Sequence, residues 1–377
     1  MYTRILTESI VEKLFSGEII MIIGARQVGK TTLLENFLSD KEYESIKFNG
    51  DFLDDRELLN SQDKERLLMI IGDKRYIIID EAQKAKNIGN TLKILVDHFK
   101  NTKQIIVTGS SSIHLLDNTS EALTGRKIVY HMYPISFEEI SKTYSIQKAE
   151  KQIEDLLIFG SYPKVLLENS HIGKKEKLTE LTTSSLYKDI LEFQNIKNSD
   201  VLTKLLKALA LQIGGEVSYQ ELGKIVSIDA KTVEKYIDLL EKSFIIFRLP
   251  PYFTNKRKEL NKMNKIYFYD LGIRNTLINN FNFLDQRDDK GALRENFVIL
   301  ERMKRRKYHK NTAYQYFRKE YNGKEIDLIE EDNGMIRAYE CKLSKESKIP
   351  KIFESEYNNI ELYTTINRHT ITKFLLQ

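Results

Sequence analysis

A short segment near the start of the chain has the residue types and the spacing that phosphate chemistry requires. Residues 24–31 read GARQVGKT: a glycine, four residues, a second glycine, a lysine and a threonine. Glycines let backbone N–H groups wrap a phosphate, and the helix that follows adds a favourable dipole. Lys30 is placed to reach the β- and γ-phosphates of ATP, and the Thr31 hydroxyl to bind Mg²⁺. The nucleotide-binding residues predicted are Gly24, Ala25, Arg26, Gln27, Val28, Gly29, Lys30, Thr31 and Thr32.

Polar residues also follow two later apolar runs. YIIIDEA places Asp80 and Glu81 at the end of a β-branched run, where an acid reaches the crevice at the carboxyl edge of a parallel sheet. We expect Asp80 to hold Mg²⁺ and Glu81 to orient the attacking water, which predicts ATP hydrolysis as well as binding. Thr108 and Ser110, in VTGSSS, are candidate sensors of the γ-phosphate. The open alternative is that these hydroxyls only cap the next helix.

A third group of polar residues lies near the end of the sequence, around Asn333-Gly334. This dipeptide is a strong hairpin signal between two strand-like runs. A two-residue turn here places Asp327 directly opposite Glu340. Opposed like charges are unfavourable, unless one carboxyl stays protonated or a cation lies between them.

We therefore predict that Asp327 and Glu340 hold Mg²⁺, which would polarise a phosphodiester and activate water. Lys342, on the same strand as Glu340, would stabilise developing negative charge or position the nucleophile. The alternative left open is an exposed hairpin face with an ion pair between Glu325 and Lys342.

The elements that must position these residues can be read from the apolar pattern. In the first third, runs ending near residues 24, 81 and 111 are almost continuously β-branched, which is typical of strands buried on both faces. They alternate with helical patterns, so we predict an α/β domain with a parallel sheet. Ser136 and Glu139 form a capping-box pattern that opens a further helix.

Residues 201–250 contain three helical segments followed by an apolar strand, the outline of a winged helix-turn-helix. The third helix, residues 229–243, would be the recognition helix, but its mixed charges argue against tight base reading. A basic wing after it would contact DNA phosphates. A solvated face on a packing domain is the equally open alternative. The basic residues of this wing are Lys256, Arg257, Lys258, Lys262 and Lys265.

The composition narrows the class of protein. The chain has 377 residues, 41% hydrophobic and 30% charged, enough for two or three domains. The formal net charge of +5 is mild, so nucleic-acid binding would depend on local patches such as RMKRRKYHK at residues 302–310. The single cysteine, Cys341, excludes an intrachain disulfide. Since no signal peptide or membrane-spanning run is present, we expect a cytoplasmic protein.

GARQVGKTT, IIIDEAQ, VTGSSS, LTGRK, YPISFEE and FGSYPKVL together resemble the prokaryotic AAA+-type P-loop ATPases that carry an uncharacterised C-terminal domain. The resemblance covers most of residues 1–170 and is looser beyond them. It implies an ATPase core (residues 1–140), a helical lid (141–195), a winged-helix domain (196–285) and a restriction-endonuclease-like α/β domain (286–377). It also implies that Arg126 in LTGRK is an arginine finger, which would complete a neighbouring subunit's site in a homo-oligomer. A clear second sensor arginine is not found in the lid.

The C-terminal hairpin resembles the PD-(D/E)XK nucleases, in which an acid and an acid-x-lysine lie on adjacent antiparallel strands. Asp327, Glu340 and Lys342 match these positions, and Glu295 in the preceding helix matches the family's auxiliary acid. Ile326 stands where the family's name-giving proline would be. An inactive nuclease fold retained for binding would have much the same sequence.

Three functions stay open from the sequence, all using ATP and Mg²⁺. The first is an ATPase that acts on duplex or branched DNA, with a C-terminal domain that cleaves or grips the strand. The second is an ATP-gated switch whose C-terminal domains bind a protein partner. The third is an oligomeric motor that remodels branched DNA and carries an inactive nuclease fold.

Overall fold

The computed structural model describes residues 2–110, 119, 121–186, 199–253, 263–343 and 346–377, with only the backbone at 184–186 and 199. The chain divides into two compact units. The N-terminal unit consists of Arg4–Pro134 and Lys242–Phe244, and the C-terminal unit of Met1–Thr3, Ile135–Glu241 and Ile245–Gln377. The predicted domain boundaries at residues 140, 195 and 285 stay predictions.

A five-stranded parallel sheet forms the centre of the N-terminal unit, with the strand order β2-β3-β4-β1-β5. The prediction of a parallel α/β domain is therefore confirmed. All side chains of β1 and β4 are buried, as their apolar sequences require. The strands are β1 (Ile19–Ile23), β2 (Ser45–Asn49), β3 (Tyr76–Asp80), β4 (Gln104–Gly109) and β5 (Lys127–His131). The helices are α1 (Leu6–Val11), α2 (Lys30–Leu38), α3 (Leu53–Ser61), α4 (Lys64–Ile71) and α5 (Ile88–Phe99).

The strand order brings three loops together. β4 lies between β1 and β3, and all three strands run in the same direction. Their carboxyl ends therefore meet at one edge of the sheet, where ligands of open α/β sheets bind. The segments after these strands contain the predicted phosphate loop, Asp80 with Glu81, and Ser110.

The C-terminal unit begins with helices. Ser136 and Glu139 form the predicted capping box, with hydrogen bonds of 3.2 and 2.9 Å between each side chain and the other residue's backbone N–H. The helices that follow are α6 (Phe137–Thr143), α7 (Ile146–Lys151), α8 (Ile153–Phe159), α9 (Pro163–Leu166), α10 (His171–Glu180), α11 (Ser199–Leu211), α12 (Tyr219–Val226), α13 (Ala230–Lys242) and α14 (Leu271–Leu277).

After the three helices α11, α12 and α13, strands β6 (Ile246–Leu249) and β7 (Lys265–Phe268) form an antiparallel pair. This is the order of elements that the sequence predicts for this segment. Four of the five basic residues assigned to the wing lie outside the described residues, namely Lys256, Arg257, Lys258 and Lys262.

The last part of the C-terminal unit contains a mixed four-stranded sheet in the order β11-β10-β9-β8. Asn333 and Gly334 have φ values of 50° and 80°, as a type I′ turn requires. The predicted hairpin register is confirmed from the pair Asp332–Met335 to the pair Leu328–Tyr339. The strands are β8 (Tyr314–Lys319), β9 (Glu325–Asp332), β10 (Met335–Cys341) and β11 (Ile360–Ile366), and the helices α15 (Lys290–Tyr308), α16 (Lys351–Glu356) and α17 (Ile371–Leu376).

The basic run at residues 302–310 is only partly exposed, and the expectation that it grips nucleic acid is wrong for its buried members. Arg302 is 9% exposed and donates to Glu330 through two nitrogens, at 3.0 and 2.9 Å. Lys304 is fully buried and lies 2.7 Å from Glu301. These cations neutralise carboxylates inside the fold. In the part of the chain that the structure describes, no helix has both the length and the apolar character needed to cross a membrane.

Candidate active site

The predicted phosphate loop connects β1 to α2 and depends on its glycines. A Cβ atom on Gly24 would lie 2.0 Å from the carbonyl oxygen of Met132, so no side chain fits there. Gly29 has a φ of 98° directly before α2, a conformation that glycine adopts without strain. Of the remaining loop residues, Ala25 and Val28 are buried, Arg26 and Gln27 half-buried, and Thr31 and Thr32 exposed on the first turn of α2.

Lys30 is only 5% exposed, and its ammonium lies over the loop itself. Nζ donates hydrogen bonds to the carbonyl oxygens of Gly24 at 2.8 Å and Ala25 at 2.9 Å. The positive charge is thus held beside the backbone that the sequence assigns to the phosphates. This arrangement can attract and orient a polyphosphate.

Oxygen donors from three chain segments meet at Asp80. The Thr31 hydroxyl donates to Asp80 Oδ2 at 3.0 Å, and the Thr108 hydroxyl donates to Oδ1. Hydroxyl and carboxylate oxygens are the ligand types that Mg²⁺ prefers. Thr31 and Asp80 therefore fit a Mg²⁺ ion, which when bound would neutralise charge on the phosphates of ATP.

Glu81 has the left-handed conformation, with φ 49° and ψ 40°, which is uncommon for residues other than glycine. Gly50 makes room for this turn, because a Cβ atom on it would lie 2.3 Å from the Glu81 carbonyl oxygen. Gln83 Nε2 donates to Glu81 Oε2 at 2.5 Å and to Ser110 Oγ at 2.8 Å. Gln83 thus links the residue assigned to the attacking water with the residue assigned to the γ-phosphate.

Gln83 is a site residue that was not predicted from the sequence. Its signal was present, since the residue belongs to the IIIDEAQ segment. Its side chain returns to the sheet edge because residues 82–84 form a single 3₁₀ turn after β3.

Arg126 lies just before β5 and forms an ion pair with Asp97, with 2.7 Å between Nε and Oδ1. Both side chains are partly exposed. This contact lies within one chain, so the predicted role of Arg126 at a neighbouring subunit's site stays a prediction.

In the C-terminal unit, a cavity of about 580 Å³ brings together residues from β9 and β10. We call it the carboxylate cleft. Among the residues that line it are Glu325, Asp327, Glu340, Lys342, Lys324 and Lys348. The structure therefore places Asp327, Glu340 and Lys342 along one cavity.

Each acid of the cleft has its own partners. Asp327 Oδ2 accepts a hydrogen bond from the Cys341 backbone N–H at 2.7 Å. Glu340 lies 2.6 Å from Lys342 Nζ and accepts a hydrogen bond from the Tyr363 hydroxyl at 2.5 Å. Lys342 therefore pairs with Glu340, and the alternative pair between Lys342 and Glu325 is not formed. Burial, together with the charge of Glu295, raises the pKa of Asp327 to about 7.

Glu295 is held by residues of β7. Its Oε1 accepts hydrogen bonds from Lys265 Nζ at 2.8 Å and from the Tyr267 hydroxyl at 2.6 Å. Lys265 is 3% exposed, so its assignment to a basic wing that contacts phosphates is wrong. Among the described residues, no group of three or more His, Cys, Asp or Glu side chains could hold a metal ion. Because Glu295 is bonded to Lys265 and Tyr267, it does not join Asp327 and Glu340 in a shared metal site in this structure.

Comparison with protein families agrees with the nucleotide site. Residues 16–141 match the family model described as "AAA domain", so this part of the chain is similar to AAA-type P-loop ATPases. Residues 150–284 match "Domain of unknown function (DUF8612)" and residues 290–372 match "Domain of unknown function (DUF4143)". The last two descriptions name no activity.

Several proteins are similar along most of their length. "Uncharacterized protein MJ1544" of Methanocaldococcus jannaschii is 26% identical over 396 residues, covering 98% of this chain and 85% of that protein. An "Uncharacterized protein" of Haemophilus influenzae is 24% identical over 332 residues, covering 82% and 78%. "Uncharacterized protein Rv2008c" of Mycobacterium tuberculosis is 25% identical over 355 residues, covering 93% and 76%.

Solved structures with weak likeness include the Thermotoga maritima RuvB Holliday junction branch migration motor. It is 14% identical, with a TM-score of 0.35, over 69% of this chain and 95% of that chain. AMPPCP-bound DnaA from Aquifex aeolicus is 18% identical, with a TM-score of 0.27, over 67% and 88%. These values are too low to transfer a function.

Proposed function

We propose that this chain is an AAA+-type ATPase that acts on DNA, and that its C-terminal unit grips the DNA strand. The observation that carries the ATPase proposal is the meeting of Lys30, Thr31, Asp80 and Glu81 at one edge of the parallel sheet. Thr31 and Thr108 donate hydrogen bonds to Asp80, and Gln83 donates to both Glu81 and Ser110. These bonds tie the phosphate loop to the ends of two neighbouring strands.

In the proposed mechanism, the backbone of residues 24–29 and the Lys30 ammonium bind the β- and γ-phosphates. The Glu81 carboxylate accepts a hydrogen bond from the attacking water and orients it toward the γ-phosphorus. Gln83 holds that carboxylate in place, and its bond to Ser110 makes the position of Glu81 sensitive to what contacts Ser110. Arg126 of a neighbouring subunit would add positive charge to the transition state, which would require a homo-oligomer.

The DNA part of the proposal is supported by the carboxylate cleft and by the segment before it. Lys324, Lys342 and Lys348 line the cleft, and lysines at a cleft can bind a phosphodiester backbone without reading its sequence. The helices α11 to α13 and the β6-β7 pair have the order of a winged-helix domain, a common DNA-binding arrangement. Gripping is favoured over cutting because the Glu295 carboxylate, which matches the auxiliary acid of the nuclease pattern, is bonded to Lys265.

Cleavage of DNA is the second candidate function. The observation in its favour is that Asp327, Glu340 and Lys342 line one cavity, as in the PD-(D/E)XK pattern. Cleavage would require that the cleft binds a divalent metal ion despite the engagement of Glu295.

The test measures ATP turnover with no DNA and with linear, circular and branched DNA, beside Lys30→Ala and Glu81→Gln proteins. We expect turnover that at least one DNA form stimulates by about tenfold or more, and that both substitutions abolish. A rate that is the same with every DNA form would refute the DNA role, and slow turnover with no retention on DNA would favour a switch that binds a protein partner.

The same tubes, containing Mg²⁺ or Mn²⁺, are scored for DNA retention and for cutting. Retention without cutting supports a DNA grip. Cutting by the wild type that disappears in an Asp327→Asn/Glu340→Gln protein would instead make the cleft a nuclease site.

A further inference from the structure

Lys265 is a buried cation surrounded by carboxylates from two other elements. It begins β7, and its Nζ lies 2.8 Å from Glu295 on α15 and in closer contact with Glu325 on β9. The ring of Phe317 lies below it, with 5.4 Å from Nζ to the ring centroid. A lysine this deeply buried needs such partners, because desolvation disfavours its charge.

The acids overcome that desolvation. Burial alone would lower the pKa of Lys265, but the charges of Glu295, Glu325 and Asp327 raise it above its usual value. The direct contacts with Glu295 and Glu325 thus favour the charged ammonium. The ammonium contacts two carboxylates directly, and one of them, Glu325, lines the carboxylate cleft.

The backbone around Lys265 gives the side chain a fixed origin. Lys265 pairs with Leu249 on β6 and forms an antiparallel bridge with Glu216 on its other side. The next residue but one, Tyr267, donates its hydroxyl to the same oxygen of Glu295 that Lys265 contacts. Two donors from one strand thus bind the Glu295 carboxylate.

We propose that Lys265, which lies behind the carboxylate cleft and contacts its residue Glu325, takes the electrostatic place of a divalent metal ion and keeps such ions from binding beside Asp327. A divalent ion at Asp327 would meet a fixed positive charge that already neutralises its other potential ligands, Glu295 and Glu325. The carboxylates of Glu295 and Glu325 then need no metal ion to balance their charge. The test of this inference uses neither ATP nor DNA, so its failure is distinguishable from a failure of the proposed function.

The first experiment measures the reactivity of individual lysines in the full chain. The protein, without nucleotide, is treated briefly with an amine-acylating reagent in EDTA, in Mg²⁺ and in Mn²⁺, and the modified lysines are quantified by mass spectrometry. Lys342 is the internal control, because it lines the same cleft and its side chain is 46% exposed. We expect Lys265 to react at least about tenfold more slowly than Lys342 in all three solutions, since only the neutral, accessible amine is acylated.

Faster acylation of Lys265 in Mg²⁺ or Mn²⁺ than in EDTA would overturn the proposal, because it would mean that the metal displaces the ammonium. Equal reactivity of Lys265 and Lys342 in EDTA would overturn it as well.

The second experiment removes the lysine and restores the charge balance. Lys265→Met/Glu295→Gln loses one positive and one negative charge and keeps Glu325, Asp327 and Glu340. Mn²⁺ binding without nucleotide is measured by calorimetric titration, beside the wild type and Glu295→Gln. We expect the double variant to bind Mn²⁺ at least about tenfold more tightly than the other two proteins, and Asp327→Asn to remove that gain.

Equal Mn²⁺ affinity in the wild type and the double variant, whether tight or absent, would contradict the proposal. So would wild-type Mn²⁺ binding that is lost in Asp327→Asn/Glu340→Gln. If the double variant does not fold, the lysine reactivities decide the question, since they use the unaltered chain.

Discussion

The hydrogen bonds of Gln83 lead to a prediction about the rate of ATP hydrolysis. Gln83→Leu keeps the approximate volume of the side chain and removes both of its hydrogen bonds, to Glu81 at 2.5 Å and to Ser110 at 2.8 Å. Glu81 would keep its left-handed backbone, which Gly50 and not Gln83 makes possible. Its carboxylate would then be free to leave the position in which it orients water.

The size of the effect follows from the kind of bond that is lost. A hydrogen bond to a charged group contributes roughly 1.5 to 3 kcal/mol. If the transition state needs the whole of that restraint, kcat falls about 10- to 100-fold. The free energy of unfolding should change by only about 1 kcal/mol, because Gln83 is half-buried. Nucleotide affinity should stay within about threefold of the wild type, because the hydrogen bonds of Gln83 go to Glu81 and Ser110 and not to the phosphate loop.

The assay measures steady-state phosphate release, the dissociation constant of a fluorescent ATP analogue, and urea unfolding on the same preparations. Gln286→Leu, an exposed glutamine in the C-terminal unit, is the matched control and should behave as wild type. A Gln83→Leu protein that is folded and retains kcat within about threefold of the wild type would refute the positioning role of Gln83.

Three further outcomes are expected. Lys30→Ala should lower ATP turnover at least about 100-fold in phosphate release, and full turnover would exclude the proposed site. Glu330→Gln leaves the buried Arg302 guanidinium without a carboxylate and should lower the free energy of unfolding in urea by roughly 3 to 5 kcal/mol. Glu361→Gln, at the exposed pair with Arg337, should lower it by less than about 1 kcal/mol. Equal decreases in the two proteins would contradict the burial argument. Burial raises the pKa of Asp270 to about 6, so the folded state binds this proton more tightly than the unfolded state does. The resulting stabilisation is complete below the usual pKa of an aspartate and is lost as the pH rises through about 6. The free energy of unfolding should fall by up to roughly 3 kcal/mol over this range. Thermal melts of Asp270→Asn at the same pH values should not show this fall in stability.

The N-terminal unit could be predicted well because its signals are local. The apolar runs of β1, β3 and β4 are short continuous strings, and Lys30 bonds to carbonyl oxygens of its own loop. The turn at Asn333-Gly334 sets the hairpin register in the same way, through two residues that tolerate positive φ.

The predictions that were wrong concern basic residues whose carboxylate partners are distant in the sequence. Lys265 looks like part of a basic wing, but its carboxylates are Glu295 and Glu325, which follow it by 30 residues or more in the chain. Arg302 looks like part of a solvated basic run, but Glu330 lies on the sheet against which α15 packs. A sequence shows charge and spacing, but which opposite charges fold against each other depends on tertiary packing.

The hairpin between β9 and β10 also restricts how this region can vary. Side chains alternate between the two faces of a strand, so adding or removing one residue on one side of the Asn333-Gly334 turn would move every side chain of that strand to the opposite face. Glu340 would then leave the carboxylate cleft, and Tyr339 would enter it. Insertions and deletions in this hairpin should therefore be tolerated only in pairs of residues. The number of residues in the turn thus decides which side chains face the carboxylate cleft.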